Sequence, residues 1–296
     1  MRSIADHPSG DRLALAGHWP LLALAVGALI LYLPVFADFA RGPWRRDENA
    51  HALIVMAIAV GATVSRLMSE RLGLAVSARE LIAGVAALIF GLLLVIAGAA
   101  SEADLLLSAS LSFVAAGIVL SLAGWRGVRT LWFPLFLTLY LIIWPGWALD
   151  ALTAPLKIFV SEIVSDGLYA AGLPVAQAGA VISAGPYQLL VADACSGLNS
   201  MIALTAVGAV YLYAVKHGDW RVNLVVIASL IPIAIAANIL RVMALVLITY
   251  YLGYDAGQGF LHDGAGLLMF AAALALVFLI DAAALFAFRT RMGRAS

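Results

Sequence analysis

Long apolar runs separated by short polar stretches dominate the chain. Eight stand out, at about 19–37, 50–66, 81–99, 104–123, 130–148, 196–215, 222–250 and 263–288. A helix rises 1.5 Å per residue, so about 20 apolar residues cross a hydrocarbon core of about 30 Å. The pattern therefore predicts an all-α integral membrane protein with about eight transmembrane helices. The longest segment between runs is 149–195. Within it, "APLKIFVSEIVSDGLYAAG" places Leu156, Phe159, Val160, Ile163 and Leu168 at helical spacing, with Lys157, Glu162 and Asp166 on the other face. This predicts an amphipathic helix lying on the outer membrane surface. "VAQAGAVIS" and "YQLLVADA", joined by "AGP", predict a short β-hairpin before the sixth span. No small-residue cleavage site follows the first run, which is read as a retained helix. With neither repeat nor low-complexity linker, the organisation is a cytoplasmic tail at 1–18, one polytopic membrane domain at 19–288 and a basic cytoplasmic tail at 289–296.

Composition agrees with the pattern. Hydrophobic residues make up 64% of the 296 and charged residues 11%, about half the charged share of a soluble domain. The bilayer is thus a partner of the chain. Net charge is zero and no basic tract carries interleaved aromatics, which argues against nucleic acid. The distribution of the 17 Lys and Arg residues sets an orientation. With the N-terminus in the cytoplasm, twelve fall on inner segments, four on outer ones (Arg41, Arg45, Arg46, Lys157), and Arg241 lies within a span. A single cysteine, Cys195, excludes an internal disulfide, a CxxC pair and a thiolate metal site. No metal or cofactor is implied.

The unusual polar residues converge on one level. Cys195 lies 21 residues from Lys216, and Arg241 lies 20 from Arg221, so both stand about 30 Å above the inner boundary. His262, 27 residues from Arg289, stands about 40 Å up. A cysteine attacks as thiolate and needs a base or cation nearby. Histidine can take that proton and return it to a leaving amine. An arginine can stabilise the oxyanion formed in acyl transfer. Together the three describe a thiol peptidase or transpeptidase. Each also has a plain reading: a buried thiol, a solvated histidine, and an arginine snorkelling to the headgroups. Arg241 is the hardest to dismiss, because an arginine inside an apolar helix costs about 2.5–3.5 kcal/mol on insertion scales. Asn238, three residues earlier on the same face, orients Arg241 or packs. Asp193, Ser196 and Asn199 cap the sixth span or shape the site, and Asp263 is a second candidate cap. Asp47, Glu48 and His51 contact substrate or are solvated. Trp19, Trp44, Trp144 and Trp147 read as interface anchors, and Pro232 as a kink in the seventh helix.

"ADACSGLNS", "ANILRV" and "FLHDGAGLLMF", in this order, resemble the exosortase/archaeosortase family. That family's pattern reads ACSG, N-x-x-R and H-x-x-x-G, here Ala194–Gly197, Asn238 with Arg241, and His262 with Gly266. "RRDENAHALIV" is similar to the family's outer segment, with Asp47 and His51 as its acidic residue and histidine. The resemblance implies Cys195 as nucleophile, His262 as acid and base, and Arg241 as the stabilising cation. It also implies a bacterial inner membrane with the site facing the periplasm. The implied partners are exported proteins whose C-terminal tail carries a Pro-Glu-Pro type motif, an apolar helix and a basic end. The chain departs from many relatives in carrying Asp193 where they have Glu, and Asn199 where they have Arg.

Three other functions fit the composition: a transporter or channel, a noncatalytic assembly or anchoring protein, and a membrane acyltransferase. Against the first, the chain lacks paired inverted halves, and its special residues gather at one face and not at the midplane.

Overall fold

The computed structural model describes residues 10–46, 49, 51–70, 76–190, 198–215, 218–258 and 260–292. The chain divides into two compact units, one ending at Pro145 and the other beginning at Gly146.

The first unit is helical. It holds α1 (Gly10–Arg41), a 3-10 turn (Pro43–Arg45), α2 (Ala52–Ser69), α3 (Ala78–Ser101), α4 (Asp104–Thr130), α5 (Trp132–Thr138) and a second 3-10 turn (Leu139–Leu141). Its tightest seam joins α3 to α4. Gly84, Gly91 and Gly98 recur every seven residues along α3, and all are buried. A Cβ at Gly91 would lie 2.6 Å from Val114 Cγ2, and one at Gly98 would lie 2.8 Å from Leu107 Cγ. Gly84 faces Ser121 as closely. The two backbones thus approach as small residues let membrane helices do. Ser77 and Glu80 form a capping box at the start of α3. Glu80 also accepts a hydrogen bond from the Trp125 backbone at 3.0 Å. There Gly124, at φ +60°, interrupts α4. Tyr32 of α1 and Ser110 of α4 share a buried hydrogen bond of 2.8 Å.

The expected fifth span does not form one helix. Helical structure stops at Leu141 and resumes at Gly146. Pro145 offers no N–H and pushes Trp144 out of the helical region. The Ser108 hydroxyl accepts the freed Ile143 N–H at 2.9 Å. Among the described residues five helices are long and apolar enough to cross a membrane. They are Ala52–Ser69, Ala78–Ser101, Asp104–Thr130, Trp220–Leu252 and Gly266–Phe288, and the helices flanking 142–145 make a sixth if they form one bent span. Helical structure also covers the first expected span, within α1, and residues Leu198–Val215 of the sixth.

The second unit holds α6 (Gly146–Ala170), strands β1 (Val175–Ala178), β2 (Val181–Ala184) and β3 (Tyr187–Leu190), then α7 (Leu198–Val215), α8 (Trp220–Leu252), α9 (Tyr254–Gln258) and α10 (Phe260–Met292). α6 differs from the amphipathic helix expected. Lys157 lies on its buried side with Thr153, Ser161 and Ser165, while Phe159 is exposed. Lys157 Nζ donates to Oδ1 of the exposed Asp150 at 2.9 Å, so the stem is buried while the ammonium is paired with a carboxylate at the surface. Val160, Val164 and Leu168 pack with Val242, Leu245 and Val246 of α8 and with Ile182 and Leu189 of the sheet. The expected hairpin is a three-stranded antiparallel meander in the order β1-β2-β3. "VAQAGAVIS" does not form one strand: it turns back on itself at Gly179, which takes φ +61°. A second core joins Leu204 of α7, Val226, Leu230 and Ile233 of α8, and Ala273 and Val277 of α10. Pro232 sits inside α8, which runs unbroken past it. Tyr211 of α7 donates to Asp281 Oδ2 of α10 at 2.6 Å, and Asp281 is buried.

Candidate functional site

Asn238 and Arg241 stand three residues apart on α8, on one helix face. Opposite them on α10 is Gly266. A Cβ at Gly266 would lie 3.1 Å from Arg241 Nη2, 3.2 Å from Cζ and 3.4 Å from Nε. The guanidinium therefore rests against bare backbone, and any side chain at 266 would compete for its place. Around this contact is a narrow pocket. Ala234, Ala237, Asn238 and Arg241 line it from α8, and Gly266, Met269, Phe270 and Ala273 from α10, with Leu204 of α7 closing it. Both sets follow the i, i+3, i+4, i+7 spacing of a single helix face. Seven residues of helix make the pocket about 10 Å long, with Arg241 at one end. Asn238 is buried, and among the described residues no donor reaches its Oδ1.

The backbone of His262 lies in the first turn of α10, four residues before Gly266 and at a position on the same face. One helical turn, about 6 Å, thus separates the His262 backbone from the glycine that bears the guanidinium. The side chains of His262 and Asp263 lie outside the described residues, as does that of Asn199 in the first turn of α7. Asp193, Cys195 and Ser196 lie outside the described residues entirely, as do Asp47 and Glu48. Connectivity still bounds the cysteine. It precedes the first residue of α7, Leu198, by three residues, a reach of at most about 11 Å. α7 is the helix that sends Leu204 into the pocket beside Arg241. Two of the three motifs, then, meet side chain to backbone, and the third is tied by the chain to a helix of the same pocket.

His51 belongs to the first unit and has a partner there. It precedes α2, and its Nε2 lies 3.0 Å from the Tyr140 carbonyl oxygen. That oxygen only accepts, so Nε2–H donates. Burial pushes the His51 pKa below its ordinary value, and the bond to Tyr140 opposes this. His51 is thereby held neutral near pH 7, linking α2 to the turn at Leu139–Leu141. Among the described residues no group of three or more His, Cys, Asp or Glu side chains could hold a metal ion.

The apolar pocket wall and the Lys157–Asp150 ion pair are not among the residues that the sequence singles out. The wall had a signal: small residues Ala234, Ala237, Gly266 and Ala273 recur at one-face spacing on the two helices that carry Arg241 and His262. The ion pair's spacing of seven residues, two helical turns, was also open to view.

Residues 44–279 match a family model described as transmembrane exosortase. The matched span contains every candidate residue considered above. No curated protein and no solved structure matches the chain.

Proposed function

The chain belongs to the transmembrane exosortase family, and from that membership we propose that it is a membrane cysteine endopeptidase or transpeptidase that removes the C-terminal sorting tail of exported proteins. Cys195 is the nucleophile. Its thiol gives its proton to His262, and the sulfur attacks the scissile carbonyl. The Arg241 guanidinium stabilises the oxyanion. His262 returns the proton to the departing amine, leaving a thioester on Cys195. Water or an amine acceptor then releases the new C-terminus. The site faces the periplasm of a bacterial inner membrane, with both chain termini in the cytoplasm. The tail carries a Pro-Glu-Pro type motif followed by an apolar helix and basic residues, so the bilayer presents the motif at the outer interface.

The observation that best supports this reading is the contact between Arg241 and Gly266, which joins the N-x-x-R and H-x-x-x-G motifs across one pocket. A guanidinium inside a transmembrane helix needs a polar task to offset its insertion cost. The test is co-expression with a tailed substrate and measurement of its intact mass. Wild type is expected to truncate the substrate, and Cys195→Ala, Arg241→Ala and His262→Ala to leave it whole at matched membrane levels. A substrate cut equally well by Cys195→Ala overturns the assignment.

A further inference from the structure

β1 and β3 are the outer strands of the three-stranded sheet, with β2 between them. β1 contacts α6, and β3 contacts α8 through the face that carries Leu189. Among the described residues no main-chain hydrogen bond reaches the outer edge of β3. The β2–β3 turn is two residues, Gly185 and Pro186, with Ala184 opposite Tyr187. Gly185 takes φ +59°, the glycine-first turn of a tight hairpin. In such a hairpin the pair flanking the turn exchanges both main-chain bonds, and bonded residues alternate from there. Tyr187 and Leu189 thus bond to β2, while Gln188 and Leu190 turn their N–H and C=O groups away from it. Among the described residues no hydrogen bond outside the sheet reaches Gln188 or Leu190, and both residues are exposed. Leu189 between them is buried in the core shared with α6 and α8, which fixes the strand's register.

An open edge pairs with extended backbone. Its position suggests whose. Cys195 follows Leu190 by five positions, so the cysteine lies within about 18 Å of the end of the free edge. We infer that the edge of β3 binds the substrate's tail, with the residues around its motif adding as a fourth strand. This rests on the peptidase reading above. Main-chain pairing would supply affinity, and proximity to Cys195 would bring the scissile bond to the nucleophile. A Pro-Glu-Pro motif suits such an edge. Alternate residues of a strand turn their N–H groups to opposite sides. Both prolines, which lack N–H, would share the outer side, and the glutamate between them would pair with β3.

The test uses the purified full-length protein in lipid nanodiscs and synthetic tail peptides carrying the motif, an apolar helix and a basic end. One backbone amide at a time is N-methylated. Methylation at the motif glutamate, or two residues before it, is expected to lower kcat/KM about tenfold, and methylation three residues before it by less than about twofold. On the enzyme, Gln188→Pro removes one outward N–H at a place where an edge strand tolerates proline. It is expected to raise KM about tenfold with kcat little changed, its folding checked by thermal unfolding. Losses without two-residue alternation, or a Gln188→Pro protein with wild-type KM, overturn the edge-strand inference and leave the peptidase reading standing. A peptide neither cut by wild type nor bound by Cys195→Ala overturns both.

Discussion

Gly266→Ala and Gly266→Val test whether the placement of one guanidinium governs activity. An added Cβ at 266 would meet Nη2 at 3.1 Å and Cζ at 3.2 Å, where ordinary contact begins near 3.4 Å. The guanidinium must then retreat by a few tenths of an ångström in Gly266→Ala. The two further methyl groups of valine push it by about an ångström. A misplacement of about 1 Å can cost about a hundredfold in rate. Gly266→Val is therefore expected to lower kcat about a hundredfold and Gly266→Ala severalfold, both with KM close to wild type. The assay is cleavage of a tailed peptide by protein in nanodiscs, alongside thermal unfolding to show that both variants fold. The decisive comparison is a double-mutant cycle. If Gly266→Val acts through the guanidinium, it has no further effect in an Arg241→Ala background. Losses that multiply in the double variant, or a Gly266→Val protein as fast as wild type, refute the reasoning.

Three further outcomes follow from the fold. Gly91→Ala sets a Cβ 2.6 Å from Val114 Cγ2 and 3.0 Å from its backbone nitrogen, so it should destabilise the protein by roughly 1–3 kcal/mol. Gly61→Ala, with nothing within 4 Å, should not, and melting of the two variants in detergent checks the contrast. Tyr211→Phe removes the donor to buried Asp281 and should cost about 1–3 kcal/mol in the same assay. His51 binds its proton less readily folded than unfolded, so the unfolded state holds more protons just below its ordinary pKa of about 6.5. Its contribution is complete above that pH and is lost as pH falls toward the depressed folded value. Wild type should lose more melting temperature than His51→Gln between pH 7.5 and pH 5.

Much of this was legible along the chain where a property is local. The runs at 81–99 and 104–123 became α3 and α4 because an apolar run of span length leaves the backbone little choice but a helix. Spacing alone put Asn238 and Arg241 on one face. The run at 130–148 misled because hydropathy counts apolar side chains and ignores backbone donors. Pro145 was the signal that outweighed it. Lys157 reads as a polar-face residue by its type, yet its stem is buried while its ammonium meets the exposed Asp150 carboxylate two turns away. Within 175–190 "AGP" marks one turn plainly, and Gly179 supplies a second that the pattern hides. What no local pattern carries is the register between helices. That Gly266 and not Met269 lies under the Arg241 guanidinium depends on how α8 and α10 pack through their alanines and glycines.

The most direct measurement is interception of the acyl-enzyme with hydroxylamine during cleavage of a tailed peptide by the purified protein. A thioester on Cys195 is attacked by the added amine, so the released N-terminal fragment should end in a hydroxamate, detected by mass, and none should form with Cys195→Ala. A fragment ending only in a carboxylate at saturating hydroxylamine, or a hydroxamate still formed by Cys195→Ala, would contradict covalent catalysis by Cys195.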